Sequence, residues 1–136
     1  MEKVFVDTDI VLDLLSNRQP YYTHSAHLFS EADIGKTKIY VSSLSFYKLN
    51  YILSRQYSAG QARKKLLKFK TLVTVLAVTD KAVELALSSD FKDFEDGLQY
   101  FTAIENNLKT LLTRNLKDYK ASEITVMTAE QFLKSK

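Results

Sequence analysis

Asp7 is the residue around which chemistry is most readily built. It closes the β-branched and aromatic run Val4-Phe5-Val6, and an apolar helical pattern starts at once with Thr8-Asp9-Ile10-Val11-Leu12-Asp13-Leu14-Leu15. An acid ending a buried strand is costly unless it is paired. In open α/β sheets, ligands bind beyond the carboxyl ends of the strands, so Asp7 points to a cation or phosphate site. Three other segments supply matching groups. Thr113-Arg114-Asn115 follows a short apolar run, with Asp118 three residues beyond Asn115. Ser42-Ser43 closes another run. Asp93-Phe94-Glu95-Asp96-Gly97 opens a helix, with Asp93 and Asp96 on one face at i,i+3. Carboxylates suit hard divalent cations. Asp7, Asp96 and Asp118 together can hold one or two Mg²⁺ or Mn²⁺ ions, which would activate a water and shield a phosphodiester during in-line attack. Singly, these acids have plainer readings: Asp9 and Asp93 as helix caps, Asp13 as an exposed helix residue, Asp118 as a turn residue.

The elements that must position these groups follow from periodicity. Strands are expected at 4–6, 38–41, 73–78, 110–112 and 124–127. Helices are expected at 9–17, 22–34, 45–57, 61–71, 80–87, from just after 93 to 106, and 129–134. Thr8 or Asp9 can cap the first helix, Ser42 or Ser43 the third, and Thr79 the fifth. Phe46, Leu49, Ile52 and Leu53 form one apolar stripe. Ala62, Leu66, Leu67 and Phe69 form another, and Leu98, Phe101 and Ile104 a third. Strands alternating with helices predict a parallel, layered α/β domain. At 136 residues, with no internal repeat, the chain reads as one domain, 1–136.

Composition narrows the function. No apolar run reaches the ~20 residues of a membrane helix, and Lys3 leads into a strand rather than a signal peptide. With no Cys, a disulfide framework and a thiolate metal site are excluded, which agrees with a reducing cytoplasm, where the protein is expected to act. No Gly-rich phosphate loop is present. Between residues 34 and 79 there is no acid but nine bases, Lys36, Lys38, Lys48, Arg55, Arg63, Lys64, Lys65, Lys68 and Lys70. A basic middle beside acidic ends suits a polyanion brought to a carboxylate–metal site, although a solvated helix face explains the same run. Of these, Lys48, Arg55, Arg63, Lys64, Lys65 and Lys68 are candidates for nucleic-acid contact. Tyr21, Tyr22, Tyr47 and Tyr51 could stack on unpaired bases, while Phe46 and Tyr57 read rather as core or dimer packing. His24 and His27 have a zinc-compatible spacing but no third ligand, and read as packing or surface residues.

The motifs Val-Asp-Thr-Asp-Ile-Val-Leu-Asp-Leu-Leu, Tyr-Val-Ser-Ser-Leu-Ser, Asp-Phe-Glu-Asp-Gly-Leu-Gln-Tyr and Leu-Leu-Thr-Arg-Asn-Leu-Lys-Asp-Tyr, in that order, resemble a PIN domain. The chain is similar over nearly its whole length to the toxin–antitoxin ribonucleases of VapC type. The resemblance implies a three-layer α/β/α fold with a central parallel sheet of about five strands. It also implies a Mg²⁺- or Mn²⁺-dependent endoribonuclease acting on RNA, a homodimer, and an antitoxin partner whose chain covers the site. By the match, Asp7 is the first metal carboxylate and Asp96 the third acid. Asn115 and Asp118 fill the final Thr-x-(Asp/Asn)-x-x-Asp motif, with Thr113 positioning them and Asp9 standing where Asn is common. Ser43 falls in the second motif as a supporting residue.

One position departs from the pattern: Lys48 stands where an acid is expected. Two unit charges ~5 Å apart interact by about 3 kcal/mol at an effective dielectric of about 20, so the exchange is large. Pointing inward, Lys48 would offset carboxylate repulsion, weaken cation binding or hold a substrate phosphate. Pointing outward, it would leave the remaining acids free to bind one metal. Asn50 and Glu95 are possible substitutes for the missing acid. Two alternatives therefore stand beside the nuclease reading. One is a catalytically impaired module that binds RNA or protein. The other is a haloacid-dehalogenase-type phosphotransferase with Asp7 as nucleophile, which lacks the expected later Gly-Asp-x-x-x-Asp.

Overall fold

Residues 1–119 and 123–136 are described by a computed structural model. Alternation along the strands gives one sheet two apolar faces. Strand β1 (Glu2–Val6) sends Val4 and Val6 into one core and Phe5 into the other. Strand β2 (Thr37–Ser42) does the same with Ile39 and Val41 against Tyr40, and β4 (Thr110–Leu112) with Leu112 against Leu111. With β3 (Thr74–Leu76) and β5 (Thr125–Met127) they form a parallel five-stranded sheet in the order β3-β2-β1-β4-β5. Phe5 stands beside Tyr40 on one side and Leu111 on the other. A parallel sheet apolar on both faces must be covered by helices twice, which gives the expected three layers.

Helices α1 (Thr8–Leu15), α2 (Tyr22–Asp33), α3 (Ser43–Gln56), α4 (Ala59–Lys70) and α7 (Ala129–Lys134) contribute to the larger core, through Ile10, Leu28, Leu49, Leu53, Phe69 and Phe132. Helix α6 (Phe94–Glu105) supplies Tyr100 and Ala103 to the smaller core and packs on α5 (Asp80–Leu87). Gly97 permits that packing, because a Cβ there would lie 3.3 Å from Ala86 Cβ. A short 3-10 turn, Leu116–Tyr119, follows β4 and buries Tyr119 in the smaller core.

Several details differ from the sequence expectation. The cap of α1 is Asp7 itself, whose Oδ1 accepts from the Thr8 amide at 2.8 Å. Ser42 precedes α3 but makes no side-chain cap there. Strand β3 spans only Thr74–Leu76, the residues that pair with Tyr40, Val41 and Ser42 of β2. Leu67 is 69% exposed, since the buried side of α4 is set by Ala62, Leu66 and Phe69. Asp13 is only 1% exposed, held by Arg114 Nε at 3.0 Å and Arg18 Nε at 3.5 Å. On α6, Phe101 and Ile104 are half-buried, while Gln99 and Thr102 are completely buried.

Candidate active site

The order in which the strands are laid down reverses direction between β1 and β4, and crevices at such switch points are where α/β sheets bind ligands. The ladder continues past both strand ends, the Asp7 amide donating to Leu112 O and the Thr113 amide to Met127 O, each at 2.9 Å. Asp7 and Thr113 therefore emerge side by side, and Thr113 Oγ1 donates to Asp7 Oδ2 at 2.9 Å. With its other oxygen on the Thr8 amide, the Asp7 carboxylate is fixed from both sides.

Asp96 reaches the same rim from the first turn of α6, which Asp93 caps by accepting from the Glu95 and Asp96 amides at 2.8 and 3.3 Å. A buried polar network docks this helix. Gln99 Nε2 donates to Thr8 Oγ1 at 3.1 Å and to Ser45 Oγ at 3.0 Å, Ser42 Oγ donates to Gln99 Oε1 at 2.6 Å, and the Thr8 and Ser45 hydroxyls bond at 2.7 Å. The network links the ends of β1 and β2 to α3 and α6, so it sets where Asp96 stands relative to Asp7. Tyr119, 3% exposed, places its hydroxyl 3.5 Å from Asp7 Oδ2 and 3.4 Å from Asp96 Oδ1. Sequence reasoning passed over Gln99 and Tyr119. The available signal was position, since Gln99 lies one turn beyond Asp96 and Tyr119 directly follows Asp118.

The electrostatics of this rim are one-sided. Burial pushes the Asp7 carboxyl up to about 6, against the hydrogen bonds from Thr113 and Thr8, and Asp9 and Glu95 add to the rise. Burial also raises Asp96, to about 7, helped by the charges of Asp7, Asp93 and Asp118 and by a hydrogen bond shared with Asp118. Burial and the neighbouring Asp7 and Asp96 raise the Tyr119 phenol. Asp7, Asp96 and Asp118 thus share one electrostatic neighbourhood. Among the described residues, no three Asp, Glu, His or Cys side chains close into a ready-made metal cage. An all-oxygen set of this kind fits Mg²⁺ or Mn²⁺ held by one or two carboxylates with waters completing the shell.

The remaining candidates fall into two groups. Asn115 Nδ2 donates to Asp9 Oδ2 at 3.4 Å beside the rim, and its amide donates to Thr113 Oγ1 at 3.1 Å. Lys48 faces the rim, with Nζ 3.1 Å from Glu95 Oε2. Ser43 lies apart, its hydroxyl accepting from the Val78 amide at 3.4 Å. Arg55 and Lys65 lie against Tyr51 and Tyr57, and Arg63, Lys64 and Lys68 are exposed on α4. None of these five has a described contact with the acids of the rim. His24 and His27 pair with different acids, Glu130 and Glu31, each at 3.6 Å, so they do not converge. Beside Asp93 and Asp118 opens a cavity of about 570 Å³, floored by Phe91, Phe101 and Ile104.

A family model for the PIN domain matches residues 3–117. The chain belongs to the PIN domain family. Ribonuclease VapC1 of Aquifex aeolicus (strain VF5) is 30% identical over 139 residues, covering 96% of this PIN domain chain and 93% of its own. Among solved structures, DNA-bound VapBC from Salmonella typhimurium superposes with a TM-score of 0.72 at 16% identity, covering 95% of this chain and 99% of that one. A toxin–antitoxin complex from Klebsiella pneumoniae gives 0.70 at 19% identity, covering 93% and 97%. These two likenesses are of fold. Among the described residues, no helix is long and apolar enough to cross a membrane.

Proposed function

We propose that this PIN domain is a divalent-metal-dependent endoribonuclease and the toxin of a toxin–antitoxin pair. The observation that carries the reading is the set of buried carboxylates at the switch point. Asp7 is pushed up to about 6 by burial with Asp9 and Glu95 adding to the rise, and Asp96 to about 7 by burial and the charges of Asp7, Asp93 and Asp118; a divalent cation would relieve that repulsion. Asp7, Asp96 and Asp118 would hold Mg²⁺ or Mn²⁺. Such an ion, when bound, supplies Lewis acidity toward a phosphodiester and eases ionisation of the attacking water. The chain's own residues do the positioning. Thr8 and Thr113 orient Asp7, Asp93 and Gln99 place Asp96, and Asn115 with Asp9 lines the β4 side. In the hydrolysis, a bond forms from water oxygen to phosphorus, the bond from phosphorus to one ribose oxygen breaks, and that oxygen takes up a proton.

An antitoxin partner is supported by the likeness to VapBC and toxin–antitoxin complexes. A homodimer is what the resemblance to the VapC-type ribonucleases implies. The test is cleavage of mixed RNA by purified protein with Mn²⁺ or Mg²⁺, run beside Asp7→Asn and Asp96→Asn. Asn caps a helix as well as Asp, so Asp7→Asn keeps α1. Cleavage lost in both variants, with melting curves intact, is the expected result. Equal cleavage by all three proteins overturns the reading.

A further inference from the structure

Lys48 is the group on the acidic rim that the reading above leaves without a task. Its place follows from the buried network. Ser45 lies one turn earlier on the same face of α3 and bonds both Thr8 and Gln99. That face therefore fronts the start of α1 and the N-terminal half of α6 together, and Lys48 emerges beside them. Its Nζ stands 3.1 Å from Glu95 Oε2 and 3.4 Å from Oε1. Glu95 lies in the first turn of α6, one turn before Gln99, so the pair holds the Lys48 ammonium at the α3 edge of the acidic rim. Asp7 and Asp9 act on it as well. An ammonium group has three donors, and the Lys48 side chain is 42% exposed, which leaves it a direction open toward an incoming anion.

A fixed positive charge here repels a divalent ion that approaches the α3 side, while the carboxylates attract one on the side of Asp118. The same charge attracts a phosphate oxygen. We propose that Lys48 is a built-in second cation of this centre, restricting the carboxylates to one divalent ion and donating to an oxygen of the RNA phosphate. Glu95 keeps the ammonium over the rim until phosphate arrives. The inference rests on the metal-dependent ribonuclease reading and deepens it.

Mn²⁺ binding to the full chain, followed by the electron paramagnetic resonance of the free ion, tests the first half. One ion per wild-type chain and two per Lys48→Glu chain are expected. Lys48→Met should bind its first ion several-fold more tightly than wild type and take up a second one weakly, and a single site in both Lys48→Met and Lys48→Glu would overturn the restriction. The second half is read in EDTA, by anisotropy of a fluorescein-labelled oligouridylate. Lys48→Met should bind about tenfold more weakly, as loss of one charge-assisted contact implies, with a shallower salt dependence. Lys48→Arg should bind as wild type does. All three substitutions are at a partly exposed position, and their melting curves control for folding. Two ions on the wild-type chain, or unchanged RNA affinity in Lys48→Met, overturns the inference and leaves the nuclease reading standing. Absence of Mn²⁺ binding by every form overturns both.

Discussion

Asp7 at the cap of α1 and Asp13 farther along the same helix are both buried, at 4% and 1% exposure, yet their surroundings are opposite. Burial raises both carboxyls. At Asp13, Arg114 and Arg18 pull back down, and Arg114 is itself stacked on Tyr21 with its guanidinium carbon 4.0 Å from the ring centroid. At Asp7 the neighbouring charges, Asp9 and Glu95, push further up. The Asp13 cluster is an internally neutralised brace joining α1 to the segment after β4. Among the described residues no cation is in ion-pair contact with Asp7 or Asp96, the nearby Lys48 being paired with Glu95, and these acids are suited to a cation from outside. Buried charge without a partner is a cost, and costs of this kind concentrate at functional sites.

The sharpest way to break the comparison is to neutralise one acid from each cluster. Asp7→Asn should lower RNA cleavage by about 100-fold or more, about 3 kcal/mol of barrier, with the fold retained. Asp13→Asn should leave cleavage within about tenfold of wild type and act mainly on stability. A gel assay with mixed RNA, beside thermal melts, separates the two. Next in size is Arg114→Met, which strands the Asp13 charge with only the longer Arg18 contact. Removing one partner of a buried pair costs about 3 kcal/mol, readable as a lower urea midpoint.

Metal addition should distinguish the clusters from the other side. Mn²⁺ at about a hundred times its dissociation constant should stabilise wild type by about 2.7 kcal/mol. Asp96→Asn should lose most of that gain and Arg114→Met should keep it, as measured by the melting temperature with and without EDTA. The smallest effect is the pH dependence in metal-free buffer. Asp7 and Asp96 hold their protons more tightly folded than unfolded, so the folded state binds more protons and stability falls as pH rises. The fall runs from the ordinary carboxyl value of 3.8 up through about 6 and about 7. With solvent screening at the rim, the Asp96 contribution amounts to about 1–2 kcal/mol. The stability of Asp96→Asn relative to wild type should therefore grow across that window and level off above it. A difference that does not change with pH would remove the claim that burial and the neighbouring charges raise the Asp96 carboxyl.

Much of the fold was legible because its signals are local. The alternation Val4-Phe5-Val6 and the runs around Tyr40 and Leu111 mark strands whose two faces are both buried. Thr79 and Asp93 announce helix starts, and each accepts a backbone amide there; Thr128 does the same at α7, where no cap was expected. That Asp7, Asp96 and Asp118 lie near one another was legible because strand ends and a helix start in a parallel sheet converge on one edge. Asp13 could not be read correctly, because its burial depends on Arg114, which comes from the far side of the chain. Gln99 was hidden for a similar reason. A polar residue within an apolar helix looks like a surface position until Ser42, Ser45 and Thr8 are seen to satisfy it.

The amino-acid sequence by itself determined the order of strands and helices, the identity of the acids and the odd lysine among them. The order of elements follows from side-chain type and from periods of two and 3.6 residues, which need no distant partner, while the oddness of Lys48 comes from the resemblance of the surrounding motifs to a PIN domain. Only the tertiary structure decided which charges are neutralised. It gave Asp13 two arginines, set the Tyr119 hydroxyl between Asp7 and Asp96, and turned Lys48 toward Glu95. Electrostatic energy depends on separation and burial, and both are fixed only when segments far apart in the chain are packed together.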